Sequence, residues 1–221
     1  MLHLRNINSE VKIGNILLLI PTFTLIFLMP LFPEAIRRAS SNVLFSIIFF
    51  LAIYSLKGKV KKKMLIIAIF AFVTEWIAEI FTMNFLYYVS SFVNVIFFQI
   101  IVIRLIIQIA RSKEVDASVI LESVNAYLLL GLMFTMLVAI LHLYNSEALG
   151  FIYKQEVDFQ DFIYYTFVTI STLGYGDITP KQSIGQSLSI LISVSGQLYI
   201  AIIIAMLVGK FSSSNPELNE S

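Results

Sequence analysis

The sequence predicts an all-α membrane protein with six transmembrane helices and one re-entrant helix followed by an irregular loop. Three observations carry that prediction. Of the 221 residues, 58% are hydrophobic and only 13% charged, against about a quarter charged in soluble domains. Apolar runs approaching the 20 residues or so that cross a hydrocarbon core recur from Ile13 almost to the end. Between the last two runs lies a segment too short to cross that ends in two glycines spaced by one residue.

The elements follow from the placement of charge. Ile13 to Pro33 is uncharged, too long for a cleaved leader and without a small-x-small cleavage site, so it reads as a retained helix. Ala39 to Leu56 is the shortest run, extended by the snorkelling reach of Arg38 and Lys57. Met64 to Ala110 is interrupted by Glu75, Glu79 and Arg104, and splits into two helices at Asn84. Ser123 to Ser146 and Gln182 to Gly209 supply the fifth and sixth spans.

Basic residues collect on the cytoplasmic side of inserted proteins. With six spans and the N-terminus inside, that side receives Arg5, Lys12, Lys57, Lys59, Lys61, Lys62, Lys63, Arg111, Lys113 and Lys210, and the other only Arg37, Arg38, Lys154 and Lys181. A single crossing by Met64 to Ala110 would put the lysine run and the Arg111/Lys113 end on opposite faces. Both termini are therefore expected in the cytoplasm, with the chain multi-pass in the plasma membrane.

A net charge of +1 gives no reason to expect nucleic acid as a partner, and the lysine run reads as an orientation signal at an anionic lipid surface. Without cysteine there is no disulfide framework, thiolate metal site or cysteine nucleophile, and His3 and His142 are the only histidines. No repeat or internal linker is visible. Residues 1–116 form a peripheral four-helix region, 117–210 a second region, and 211–221 a short cytoplasmic tail that reads as disordered.

The chemistry lies between Asp158 and Asp177. Phe159 to Ser171 reads as a helix of about three turns, and the glycines follow where the apolar pattern stops. Irregular backbone at membrane depth survives only inside protein or along a water-filled path, because each unsatisfied carbonyl in lipid costs several kcal/mol. Gly174 and Gly176 lack a Cβ and reach the positive φ needed to turn successive carbonyls inward. The negative end of the Phe159 to Ser171 helix favours a cation at its C-terminus.

Thr172-Leu173-Gly174-Tyr175-Gly176-Asp177 resembles the selectivity-filter loop of potassium channels, with Leu173 in place of the usual valine. The resemblance runs from about Ser123 to Gly209. Tyr164 and Tyr165 stand where many members carry two tryptophans, and Val168 where some carry a carboxylate that pairs with the residue matching Asp177, so that pairing is not expected here. Gly196, 24 residues after Thr172, matches the inner-helix hinge glycine.

The resemblance implies a homotetramer around one pore, residues 117–210 being the pore domain. K+ would be ligated by the carbonyls of Thr172, Leu173, Gly174 and Tyr175 and the Thr172 hydroxyl, while Gly176, Asp177, Tyr164 and Tyr165 support the filter. The implied function is passive, potassium-selective conduction by a non-enzymatic subunit, with K+ as permeant ion and no cofactor. The alternatives are a less selective monovalent cation channel and, from another class, a non-conducting membrane scaffold. An intramembrane aspartyl protease also uses a Gly-x-Gly-Asp motif, but needs a second membrane aspartate. Asp116, Asp158 and Asp161 all read as loop residues.

Other positions admit two readings. Gly196 is either a gating hinge or a small residue that allows close packing, with Gln197, Ala201, Ile204 and Val208 on its face of the helix. Glu75 and Glu79 are either structural, bonded to Ser90, Ser91 or Asn94, or ion-sensing. In the fourth span the frame Phe98, Ile101, Arg104, Ile107, Ala110 holds one charge, so opening is expected to be at most weakly voltage-dependent.

Overall fold

The computed structural model describes residues 2–56, 60–80, 84–112, 116–152 and 157–214, and nearly all of them are helical. Helix α1 (Leu2–Phe23) carries Pro21 within it. It widens at Thr24–Leu28, where the Met29 N–H reaches back to Thr24 O, and tightens again at Met29–Leu31. Pro30 explains the widening: it has no N–H for the ladder, and its ring needs room beside the carbonyl four residues before. Then come α2 (Glu34–Tyr54), α3 (Val60–Ile80), α4 (Asn84–Ala110), α5 (Ala117–Tyr144), α6 (Phe159–Ile170) and α7 (Ser183–Ser214).

The stretch from Met64 to Ala110 is thus two helices, α3 ending at Ile80 and α4 starting at Asn84. Four described helical segments are long and apolar enough to cross a membrane: Ile13–Leu31, Phe92–Ala110, Ala117–Tyr144 and Ser183–Lys210. Val43–Tyr54 is a shorter apolar helix. The chain is a multi-pass membrane protein. The side chains of Glu75 and Glu79, and with them both readings of that pair, lie outside the described residues.

Three features differ from the expectation. α5 starts at Ala117, six residues before Ser123, because Asp116 Oδ1 caps it by accepting from the Val119 N–H at 3.0 Å. The earlier start draws Glu122 into the helix. α7 runs on to Ser214, so 211–214 are helical and not a disordered tail; the first breaker is Pro216, which disfavours helix in the residue before it. Finally, the all-α fold contains two short strands, β1 (Leu149–Phe151) and β2 (Ile178–Pro180), paired antiparallel with Leu149 opposite Pro180 and Phe151 opposite Ile178.

The chain divides into two compact units between Ala126 and Tyr127, inside α5. The first unit holds α1 to α4 and the first ten residues of α5. Its apolar core includes Leu18, Leu25, Ile48, Ile53, Phe98 and Ile101, with the Phe49 ring stacked on Phe98 at 6.0 Å between α2 and α4. A polar seam runs through it. Asn125 Nδ2 on α5 donates to Asn15 O on α1 at 2.8 Å. Gln108 Nε2 on α4 donates to Glu122 Oε2 at 3.3 Å and to Ser55 O, just past α2, at 3.2 Å. Asn15, Glu122 and Asn125 are all buried, so these bonds fix the register of the helices they join.

The second unit holds the rest of α5, the β1–β2 ribbon, α6 and α7. His142 on α5 packs its ring on Phe151 of β1 at 5.7 Å and on Phe162 of α6 at 5.2 Å. Tyr127 on α5 and Tyr199 in the middle of α7 pack their rings 5.7 Å apart.

Candidate functional site

α6 begins with a reciprocal cap. Asp158 Oδ1 accepts from the Gln160 N–H at 2.9 Å and the Asp161 N–H at 3.2 Å, and Asp161 Oδ2 accepts from the Asp158 N–H at 2.8 Å. Asp161 therefore stands in the first turn of α6, not in a loop, and both carboxylates are engaged at the positive end of the helix. Neither is arranged as a catalytic partner for Asp177. Phe162, Ile163, Tyr165, Thr166 and Ile170 turn inward and anchor the helix.

At the other end the chain folds back on the helix it has just left. The N–H groups of Ser171 and Thr172 donate to Phe167 O and Thr169 O, and those of Leu173 and Gly174 both donate to Val168 O, at 3.0–3.2 Å. The carbonyls of Phe167, Val168 and Thr169, which would otherwise lack partners, are thus satisfied by the amides that follow. No described hydrogen bond is donated to the carbonyls of Thr172, Leu173, Gly174 or Tyr175. The first three residues of the loop have used their donors, and Thr172 to Tyr175 have kept their acceptors.

The backbone dihedrals alternate along the same run. Thr172, Gly174 and Gly176 have φ of +62°, +57° and +85°, while Leu173 and Tyr175 between them are not in the left-handed region. Alternating left- and right-handed residues swing successive peptide planes so that neighbouring carbonyls point the same way. The two glycines take this conformation at little cost. Thr172 is the only described non-glycine residue with positive φ, a strained position that composition alone did not reveal.

The outer end of the loop is tied down on two sides. Tyr164 on α6 donates its hydroxyl to Asp177 Oδ2 at 2.7 Å, so Asp177 has a side-chain partner on α6, a phenol where Val168 offers no carboxylate. That bond holds the Tyr164 phenol up at about 12, which keeps the donor protonated. On the other side the Ile152 N–H donates to Asp177 O at 3.1 Å, and the Lys181 N–H to Ala148 O at 2.9 Å, which extends the β1–β2 ribbon at both ends.

Tyr165, the second tyrosine, reaches α7. Its hydroxyl meets Ser189 Oγ, and since Ser189 donates its single proton to Gly185 O at 2.6 Å, Tyr165 is the donor. Gly196 lies farther along α7 against the end of α6. A Cβ there would collide with the backbone oxygen and side chain of Ile170, so the close approach requires glycine whatever else the position does. Gln197, Ala201, Ile204 and Val208 are exposed on the described chain.

Sequence reasoning placed Tyr164, Tyr165, Thr172 to Asp177 and Gly196 in one region, and the structure brings them together around α6. It missed Ser189, Ile152 and the ribbon. Ser189 carries no signal in a helix already containing several serines, and the ribbon is three residues a side, too short to show alternation.

Residues 126–213, which include α6, the loop and nearly all of α7, match the family described as ion channel. A stretch of 49 residues, 22% of this chain, is 45% identical to the A-type voltage-gated potassium channel KCND3 of Rattus norvegicus, Oryctolagus cuniculus and Homo sapiens. It spans 8% of the length of those relatives. No solved structure matches. Residues 126–213 are thus similar to the ion-channel domain of the potassium channel superfamily.

Proposed function

We propose that this chain is the pore-forming subunit of a potassium-selective channel, four copies of which surround a filter made of Thr172 to Asp177. The observation that carries the reading is the loop: four successive carbonyls, from Thr172 to Tyr175, accept no described hydrogen bond while the amides of Thr172, Leu173 and Gly174 are tied to α6. A cation that sheds its water needs oxygens in exchange, and rings of such carbonyls from several chains supply them. One chain offers one row. Leu173 and Tyr175 are 55% and 67% exposed in the single chain, as expected of residues that neighbouring copies cover.

In this reading the Thr172 hydroxyl adds a ligand at the inner end, and Gly176, Asp177, Tyr164 and Tyr165 hold the filter. Six helices cross the plasma membrane, α1 to α5 and α7, and both termini are cytoplasmic. Residues 1–116 are the peripheral region and 117–210 the pore domain. Conduction is passive, needs no cofactor and depends at most weakly on voltage.

The test is potassium flux from liposomes containing the purified protein. We expect flux that barium blocks, and a reversal potential that shifts strongly when external potassium is replaced by sodium. No flux would leave a membrane scaffold, and an unshifted reversal potential would leave an unselective cation channel.

A further inference from the structure

We propose that Gly131 on α5 and Phe167 on α6 form a positioning pair that fixes where the Thr172 to Asp177 loop stands, and through it the discrimination between potassium and sodium. The proposal deepens the channel reading and rests on it. Gly131 is buried in the middle of α5, where a glycine weakens a helix relative to alanine. What it provides is room. A Cβ on Gly131 would stand 2.7 Å from Cε1 and 2.9 Å from Cε2 of Phe167, and closer still to Cζ, so the tip of that ring fills the space a side chain would take. Thr135, one turn on and fully buried, donates its hydroxyl to Gly131 O at 2.9 Å, a side-chain bond at the bare point of the helix.

Phe167 stands in the last turn of α6, where the helix hands over to the loop. Its carbonyl accepts from the Ser171 N–H at 3.2 Å and from the Ser171 hydroxyl at 2.7 Å. The next carbonyl, Val168 O, accepts from the N–H groups of both Leu173 and Gly174, at 3.0 and 3.2 Å. A shift of this turn therefore travels into the loop, through bonds already near the upper end of the N–H···O range. Three residues on, Ile170 lies against Gly196 of α7, where an added Cβ would meet its backbone oxygen and side chain. The end of α6 is gripped from two helices, and neither contact leaves room for a methyl group.

The direction of the effect separates this contact from ordinary helix chemistry. By propensity alone, Gly131→Ala strengthens α5. With Phe167 in place, the ring must instead retreat by about 1 Å to reach a carbon–carbon separation of roughly 3.5 Å. It can carry α6 along or swing to another rotamer, and either way the contact that holds α6 against α5 is lost. A leucine side chain lacks Cε1, Cε2 and Cζ, the three atoms that collide. Phe167→Leu thus empties the notch, and Gly131→Ala refills it.

Four full-length proteins test the pair: wild type, Gly131→Ala, Phe167→Leu and G131A/F167L. Two quantities are measured on each, the potassium-to-sodium permeability ratio from reversal potentials in planar bilayers and the melting temperature in detergent. Each single substitution should lower the ratio about tenfold, and the double variant should bring it back to within about twofold of the wild type. A purely structural contact moves the melting temperature and leaves the ratio alone, so unchanged ratios in the single variants overturn the proposal. A double variant no more selective than the single ones also overturns it. If Gly131→Ala fails to assemble, Phe167→Leu and the double variant, both without the colliding atoms, carry the same two comparisons. A wild type that passes no potassium overturns the channel reading and this pair with it, whereas selective wild-type flux that the variants leave unmoved removes the pair alone.

Discussion

Gly174 and Gly176 are where the chemistry of single residues decides most. Nothing in the described chain lies within 4 Å of the point a Cβ would occupy at either, so an alanine there fits in space and fails on φ, at about 1–2 kcal/mol each. Relaxing that strain would turn a carbonyl out of the row. Gly174→Ala and Gly176→Ala should therefore abolish potassium flux while the tetramer still forms on a sizing column; wild-type flux in either would remove the filter assignment. Tyr164 offers a gentler probe. Tyr164→Phe keeps the ring and deletes the donor to Asp177, a loss of about 1 kcal/mol for a bond that is partly exposed. We expect a lower melting temperature and a lower potassium-to-sodium permeability ratio, both recovered by Tyr164→Trp, whose indole N–H can donate again. If phenylalanine and tryptophan behave alike, the bond is not what holds the loop. At Gly196, alanine should cost about 1–3 kcal/mol through its collision with Ile170. A melting temperature unchanged beside an altered open probability would instead favour a pure hinge.

At the scale of an element, α4 is the informative helix, because a single charge among its 27 residues sets the expectation for voltage dependence. Its inward face is Phe98, Ile101, Val102, Leu105 and Ile109, all buried, whereas Arg104 is exposed and off that face. A sensor needs three to four charges per subunit to draw enough work from a field worth about 2.3 kcal/mol per charge per 100 mV. With one arginine, the effective charge should be below about one per subunit. The limiting slope of open probability against voltage in a planar bilayer measures it, and a slope equivalent to three or more charges per subunit would contradict this view of α4. The polar seam of Asn15, Gln108, Glu122 and Asn125 suits such a static role, since buried amide bonds between helices resist sliding.

The whole molecule is specified by how many times it crosses and which side is which. A cysteine-free chain makes this directly measurable. Single cysteines at Asn84 and at Lys61 should react with membrane-impermeant reagents from opposite sides of sealed vesicles. Reaction of both from one side would delete a span and reverse the N-terminus. The two-unit division inside α5 also sets an expectation about design: the first ten residues of that helix belong with α1 to α4, so its N-terminal end is committed to the peripheral unit.

The membrane class, the separate α3 and α4, the short helix α6 and the left-handed glycines of the Thr172 to Asp177 loop were legible in the sequence because each rests on local rules. Apolar length sets a span, a break in apolar pattern sets a turn, and two glycines spaced by one residue license left-handed backbone. Which groups finally pair was not legible. Asp177 found the phenol of Tyr164, 13 residues earlier in the chain, Tyr165 found Ser189 on another helix, and Glu122 moved into α5 once Asp116 capped it. The positive φ of Thr172 and the closeness that makes Gly196 obligatory belong to the same group. These depend on how α6 lies against α7 and the ribbon, and a hydrogen bond or collision over a few ångströms is decided by tertiary packing, on which composition and periodicity carry no information.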